Sequence, residues 1–428
     1  MKNRIIAILF SFMLAAGSLS ACAGAQNETA KTETSTAAVQ SQADETGESV
    51  SEEMETAAAE TDAEEETGEG GNASGGITEF TDSCGTQFQL EKPLERIIVL
   101  NRQTAEAIQI LQAQDKVIAT GDTTVENNPY LLDYQELPDM GDTGELNIEA
   151  IISLQPDAVL VHTNRATELE DQLVPAGIAV IRMDNYQPER YDEEMLLLGR
   201  ILGKEQRAQE FLEYKHAQED MIAERVAQIG EDEKKTVMAL SVGFLNSDGG
   251  YRIFPCMSID GEMGVGEGYS TILAGGLDAS PEIQYDPSVG DTTILVDEEY
   301  ALSCNPQVLT LHGTWLGGYD CEDETEFRDV IDHIYEISSI SQMDAGKNRE
   351  VYIFHTDFLG ASKRHIGVMQ LCKYLYPEKF ADLDVEGYAR EYFENWLGTE
   401  YKGIWYYAAE YQIPLYSVPS QFSKYSLA

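Results

Sequence analysis

The segment Asn147–His162, NIEAIISLQPDAVLVH, returns in degenerate form 150 positions later as Asp297–His312, DEEYALSCNPQVLTLH. Glu149 aligns with Glu299, Pro156 with Pro306 and His162 with His312. Each copy reads as a short helix broken before a proline, which lacks an N–H and biases its predecessor away from helix. A short apolar strand follows in each copy, AVLV or VLTL, and leads to a histidine. One match could be coincidence. Helix, proline, strand and histidine repeated in this order predict two similarly built α/β lobes, with a ligand held between them.

The N-terminus restricts the compartment. Lys2 and Arg4 precede the apolar stretch Ile5–Ala16, which is too short for a comfortable membrane span. Leu19-Ser20-Ala21-Cys22 resembles the lipobox of bacterial lipoproteins, so residues 1–22 are expected to be a lipoprotein signal segment, cleaved before Cys22, which becomes the acylated first residue of the mature chain. An ordinary cleaved signal that happens to contain a cysteine is the alternative. The protein is expected on the extracytoplasmic face of the plasma membrane, held there by lipid.

Residues 23–76 carry 14 acidic side chains and one basic one, with almost no large apolar residues. Such a segment cannot bury enough apolar surface to offset its ordering entropy, and its charges repel. It reads as a solvated tether rather than a chelator. The chain carries −48, of which the tether accounts for −13 and the n-region for +2, leaving −37 for residues 77–428. That charge disfavours nucleic acid as a partner. Cys84, Cys256, Cys304, Cys321 and Cys372 are odd in number and lack CxxC spacing, so neither a disulfide framework nor a zinc site is indicated.

Within the remainder, apolar runs alternate with helical stretches, which predicts largely parallel sheets. The N-terminal lobe spans 77–185 (RIIVL, KVIAT, AVLV, GIAVIRM), connecting helices 186–230, and the C-terminal lobe 231–428 (KTVMALSV, VLTL, EVYIFH). Lys204–Ile229 runs without proline or glycine, about 39 Å if fully helical. Its apolar positions cluster at both ends around a polar middle, Tyr214–Asp220, as suits a helix bridging two bodies. The glycines between Gly261 and Gly276 match no GxGxxG or P-loop pattern, and residues 401–428 form an aromatic-rich tail.

Lipobox, polar tether, ERIIVL, LPDMGDTGELNIEAIISLQPDAVLVH, a long connecting helix and a late VYIF…LYPEKF together resemble the substrate-binding lipoproteins of iron-complex and cobalamin ABC importers. The likeness runs from about Thr81 to Trp396; the long Gly-rich segment and the aromatic tail depart from it. The resemblance implies two Rossmann-like lobes joined by a single long helix, with the ligand in the cleft. It also implies that one Glu at the start of a helix in each lobe pairs with arginines of the permease. Those positions here are Glu149 and Glu299, with Glu298 adjacent to the second. Helix-dipole complementation is the plainer role for both.

Ligands of open α/β sheets sit beyond the C-terminal strand ends. There the sequence places Asn101 and Arg102, His162 with Arg165, His312 with Trp315, and His355. Ser362-Lys363-Arg364-His365, the densest basic cluster, precedes a helix and reads as an anion site, against the plainer reading of a solvated loop. Tyr130, Tyr269 and Trp315 are candidate aromatic walls. The expectation is therefore a monomeric, non-enzymatic binding protein without a resident cofactor or metal. Following the resemblance, it delivers a ferric siderophore or related anionic metal complex to an ABC permease. Cobalamin, haem, molybdate or tungstate, and a bare zinc or manganese ion are alternatives. A lipid-anchored hydrolase lacks support, since neither G-x-S-x-G nor H-E-x-x-H occurs.

Overall fold

The computed structural model describes residues 78–409 apart from positions 122, 247, 248, 315 and 361. The signal segment with Cys22, the tether, Trp315 and the tail beyond 409 lie outside the described residues. No described helix is long and apolar enough to cross a membrane.

In the N-terminal lobe the apolar runs become β1 (Ile97–Val99), β2 (Val117–Thr120), β3 (Ala158–Val161) and β4 (Ala179–Arg182). They form an all-parallel sheet in the order β2-β1-β3-β4. Parallel sheets are covered on both faces, which explains why β3 is apolar and buried at every position. Helix α1 (Arg102–Ile110) leaves the end of β1, and α2 (Ile148–Leu154) leads into β3. A hairpin, Thr78–Thr81 with Gln87–Leu90, precedes the lobe.

Two helices connect the lobes, α3 (Tyr191–Leu202) and α4 (Glu205–Val226). At 22 residues α4 is about 33 Å long. The C-terminal lobe then places β5 (Thr236–Ser241), β6 (Val308–Gly313) and β7 (Val351–His355) parallel, with Leu240 and Ile353 both opposite Leu311. Antiparallel strands flank them: Tyr251–Ile253 lies beside β5 with Ile294–Val296 at the edge beyond it, and β8 (Tyr406–Ala408) lies beside β7 on the other side. Helices α5 (Gly266–Leu273), α6 (Glu298–Cys304) and α7 (Arg364–Leu375) belong to this lobe.

The duplicated segment folds alike in both lobes. Asn147 and Asp297 cap α2 and α6 by accepting the backbone N–H of Ala150 (3.0 Å) and Tyr300 (2.7 Å). Gln155 (φ 50°) and Asn305 (φ 44°) end the helices in the left-handed region, one residue before each proline.

Three expectations are refined by packing. The polar middle of α4 is only partly solvated: His216 and Asp220 are exposed, whereas Lys215 and Gln218 are buried where α4 meets α3 and α7, and Lys215 pairs with Glu219 at 2.9 Å. Part of the aromatic tail is an edge strand, β8, preceded by the buried Trp405. Finally, the Gly-rich segment serves close backbone packing. A Cβ on Gly268 would fall 2.3 Å from the Phe254 carbonyl oxygen, and one on Gly264 would fall 2.4 Å from that of Pro255.

The two lobes share one core. A continuous apolar cluster includes Ile97, Ala105 and Ile108 of the first lobe, Phe211 of α4, and Phe358, Phe393 and Trp405 of the second.

Candidate functional site

Asn101 ends β1 and its side chain accepts the Thr104 N–H at 2.6 Å while donating to the Met183 carbonyl at 3.0 Å. This buried pair of hydrogen bonds makes Asn101 the cap that aims α1, and takes it out of ligand reach. Its neighbour Arg102 begins α1 at the seam between lobes, with its guanidinium 2.6 Å from Asp357, two residues past β7. Burial alone would raise the Asp357 carboxyl, but Arg102, His355 and Lys363 outweigh it and hold it well below the usual carboxylate range.

One turn further, Glu106 is buried and faces the second lobe. Lys363 donates to both of its oxygens (2.7 and 2.6 Å), and the Tyr130, Ser362 and Tyr392 hydroxyls donate to it as well. Burial opposes ionisation of Glu106, yet the Lys363 charge prevails and its pKa lies below the ordinary value. Tyr130 and Lys363 are thus members of a buried network that joins the lobes.

Beyond the strand ends lies a cleft. A cavity of about 360 Å³ is lined by Arg102, Gln103, Asn127, His162, Arg165 and Tyr186, with Gly290 and Thr292 from the other lobe. A second space of about 160 Å³ shares Arg102, Gln103, Tyr186 and Thr292 with it and reaches Glu267 and Tyr285. The two adjoin across those residues. His162 lies 3.1 Å from Asp184 through Nδ1, and Asp184 is fixed by Thr163 and Arg190. With Nδ1 so held, Nε2 is the ring atom left to meet a ligand. Another cavity of about 360 Å³ borders the first at Asn127 and is lined by Glu126, Asp320, Glu326, His355 and Trp405. The cleft therefore runs from a basic end in the first lobe to an acidic end in the second. Glu267, whose carboxyl is pushed up by burial, accepts from Thr356 at 3.0 Å in the smaller space beside Arg102.

Of the residues expected at the ligand, Arg102, Arg165 and His162 come together at one cavity, and His355 lines the adjoining one. The others are placed elsewhere. His312 is buried with Nε2 2.8 Å from Thr310 and its ring against Phe254 and Phe354; burial pulls its pKa down to about 3. It is a structural side chain, unlike its repeat partner His162. The 362–365 cluster is not a basic loop facing the cleft, because its side chains diverge. Lys363 enters the lobe seam, while Arg364, His365 and Tyr269 line a separate cavity beside α4. Trp315 lies outside the described residues.

Sequence reasoning missed Glu106 and Asp357, the carboxylates that meet the expected cations. Glu106 had a visible signal: it is the one charge within the largely apolar run AEAIQIL. Tyr186 and Gln103, shared by both halves of the cleft, carried none. Among the described residues no group of three or more His, Cys, Asp or Glu side chains is placed to hold a metal ion.

A family model described as "Periplasmic binding protein" matches residues 97–357, more than half of the chain. Among curated proteins, the molybdate-binding protein MolA of Haemophilus influenzae is 21% identical over 355 residues, covering 76% of this chain and 92% of MolA. The ABC transporter substrate-binding lipoprotein YvrC of Bacillus subtilis is 29% identical over 161 residues, covering 36% of this chain and 49% of YvrC. Among solved structures, the TroA-like periplasmic binding protein FepB of Veillonella parvula superposes with a TM-score of 0.60 at 22% identity, covering 77% of this chain and 99% of FepB.

Proposed function

The chain belongs to the periplasmic binding protein family, as a solute-binding protein of ABC importers, and from that premise we propose that its solute is a compact anionic metal complex. The observation that carries this reading is the meeting of Arg102, Arg165 and His162 around one cavity, in a body whose charge is −37. Two guanidiniums and an imidazole at a strand-end cleft match an anion, since charge-assisted hydrogen bonds are the strong ones. The combined cleft is roomier than a bare tetrahedral oxoanion requires, which favours a chelate such as a ferric siderophore. Molybdate is the second reading, favoured by the likeness to MolA. A bare zinc or manganese ion would want three or four convergent ligands, which the described residues do not offer.

Glu149 and Glu299 are both exposed on the first turn of their helices, at equivalent places in the two lobes. Glu298 instead accepts from Ser339 at 2.7 Å, which supports Glu299 as the second permease-docking residue. The Cys22 lipobox supports a lipid anchor on the extracytoplasmic face.

Titrating the purified mature protein with ferric chelates, molybdate, cobalamin and haem tests the reading, with Trp405 at the cleft wall as the fluorescent reporter. Anionic ferric chelates are expected to bind, more weakly as salt is added, and Arg165→Gln should weaken them roughly ten- to a hundredfold. Binding of cobalamin alone, or undiminished chelate binding by Arg165→Gln, would overturn it.

A further inference from the structure

A cavity of about 240 Å³ lies between α4, α5 and α7 and shares no lining residue with the cleft. Its walls are largely apolar, from Ile222, Met263, Leu273 and Val368. Two polar side chains line it without adequate partners. Arg364 has a side chain only 12% exposed, and its nearest carboxylate oxygen, on Glu219, is 3.9 Å away. That distance is too long for a hydrogen bond, and the other oxygen of Glu219 is held by Lys215 at 2.9 Å. His365 is 1% exposed, and neither of its ring nitrogens has a hydrogen-bond partner. Burial pulls the His365 pKa down to about 3, so the neutral ring offers one donor and one acceptor.

Buried polar groups are hydrogen-bonded in the great majority of cases, and a buried charge without a partner is costly. Here a guanidinium fork with only a long contact to Glu219 and an imidazole without a hydrogen bond share one small, largely apolar chamber. The fork matches a carboxylate, whose two oxygens it can engage together, and the apolar walls match a hydrocarbon body. We propose that this chamber is a second binding site, separate from the transport cleft, for a small carboxylate with a branched apolar body held by Arg364 and His365. The exposed Asp220 at its edge adds an acceptor for an ammonium group. The carboxylate can thus come from a free branched acid or from an apolar α-amino acid.

Calorimetric titration of the mature full chain with 4-methylpentanoate, L-leucine and isopentylamine tests the proposal. Saturable one-site binding of at least one carboxylate, and none of the amine, is expected. Leucine tighter than the free acid, with the gain lost in Asp220→Asn, would identify the amino acid as the source; equal or weaker binding of leucine would identify the free acid. Arg364→Gln should weaken binding at least about tenfold, while Arg165→Gln in the cleft should leave it unchanged. Ala223→Trp, which fills the rim from an exposed position, should block binding without touching the buried groups. It remains informative should Arg364→Gln fail to fold. No saturable binding of either carboxylate up to about 10 mM, near the weak end of small-ligand affinity, would overturn the site. So would undiminished binding in a folded Arg364→Gln or in Ala223→Trp.

Discussion

Glu106 and Lys363 stand 257 positions apart and meet as a buried ion pair, with the lysine Nζ within 2.7 Å of both carboxylate oxygens. The pair fastens α1 of one lobe to the start of α7 in the other. Removing one partner of such a pair leaves the other charge stranded, at a cost of about 3–5 kcal/mol. Lys363→Met is expected to lose about that much in urea unfolding, and Glu106→Gln added to it should restore part. A Lys363→Met protein as stable as the parent would show that the pair contributes nothing net.

Arg102 serves two masters. It lines the cleft and is also neutralised by Asp357 at 2.6 Å. Asp357→Asn should therefore tighten binding of an anionic ferric chelate several-fold, because the guanidinium regains charge for the ligand. Weaker binding in titrations would show instead that Asp357 positions Arg102.

Acid should weaken the fold in two stages. His312 and His365 have folded pKa values of about 3, against about 6.5 in an unfolded chain. Between those values the unfolded state binds more protons, so stability rises with pH, is complete above about 6.5 and is lost as pH falls toward 3. Glu106 and Asp357 are depressed carboxyls, so their contribution is present above about pH 4 and is lost as pH falls further, through their lowered folded values. His312→Gln with His365→Gln should shrink the first stage, leaving the part due to His355, which burial also depresses, measured as the shift in urea midpoint between pH 7 and pH 5.

Glu149→Lys with Glu299→Lys should abolish uptake by intact cells and leave the solute dissociation constant within about twofold, since rim charges register partners rather than hold ligand. Lost solute affinity in the purified double variant would place these residues in the fold or the cleft.

Cys22→Ala should release the mature protein from washed membranes into the soluble fraction, because no described helix can span a bilayer and the acidic tether is repelled by an anionic surface. Retention in the membrane pellet would contradict the lipid anchor.

The repeat of Asn147–His162 in Asp297–His312 determined, by itself, the helix, proline break and strand of each lobe. Those features depend on neighbours within a few residues, and sequence carries such information directly. The alternation of apolar strands with helices followed from the same kind of local pattern. The burial of Lys215 and Gln218 did not, because a polar waist reads alike in water and against a polar seam. Tertiary structure alone decided which histidine of the repeat reaches the cleft: His162 lines a cavity, whereas Phe254 and Phe354 close over His312. It also decided the fate of the basic cluster, where Lys363 turns to a carboxylate on a distant helix and Arg364 turns to the chamber beside α4. A local run of charges fixes their number and sign. Their partners are set by packing between segments hundreds of positions apart, where burial makes each charge seek whichever opposite charge the fold brings near.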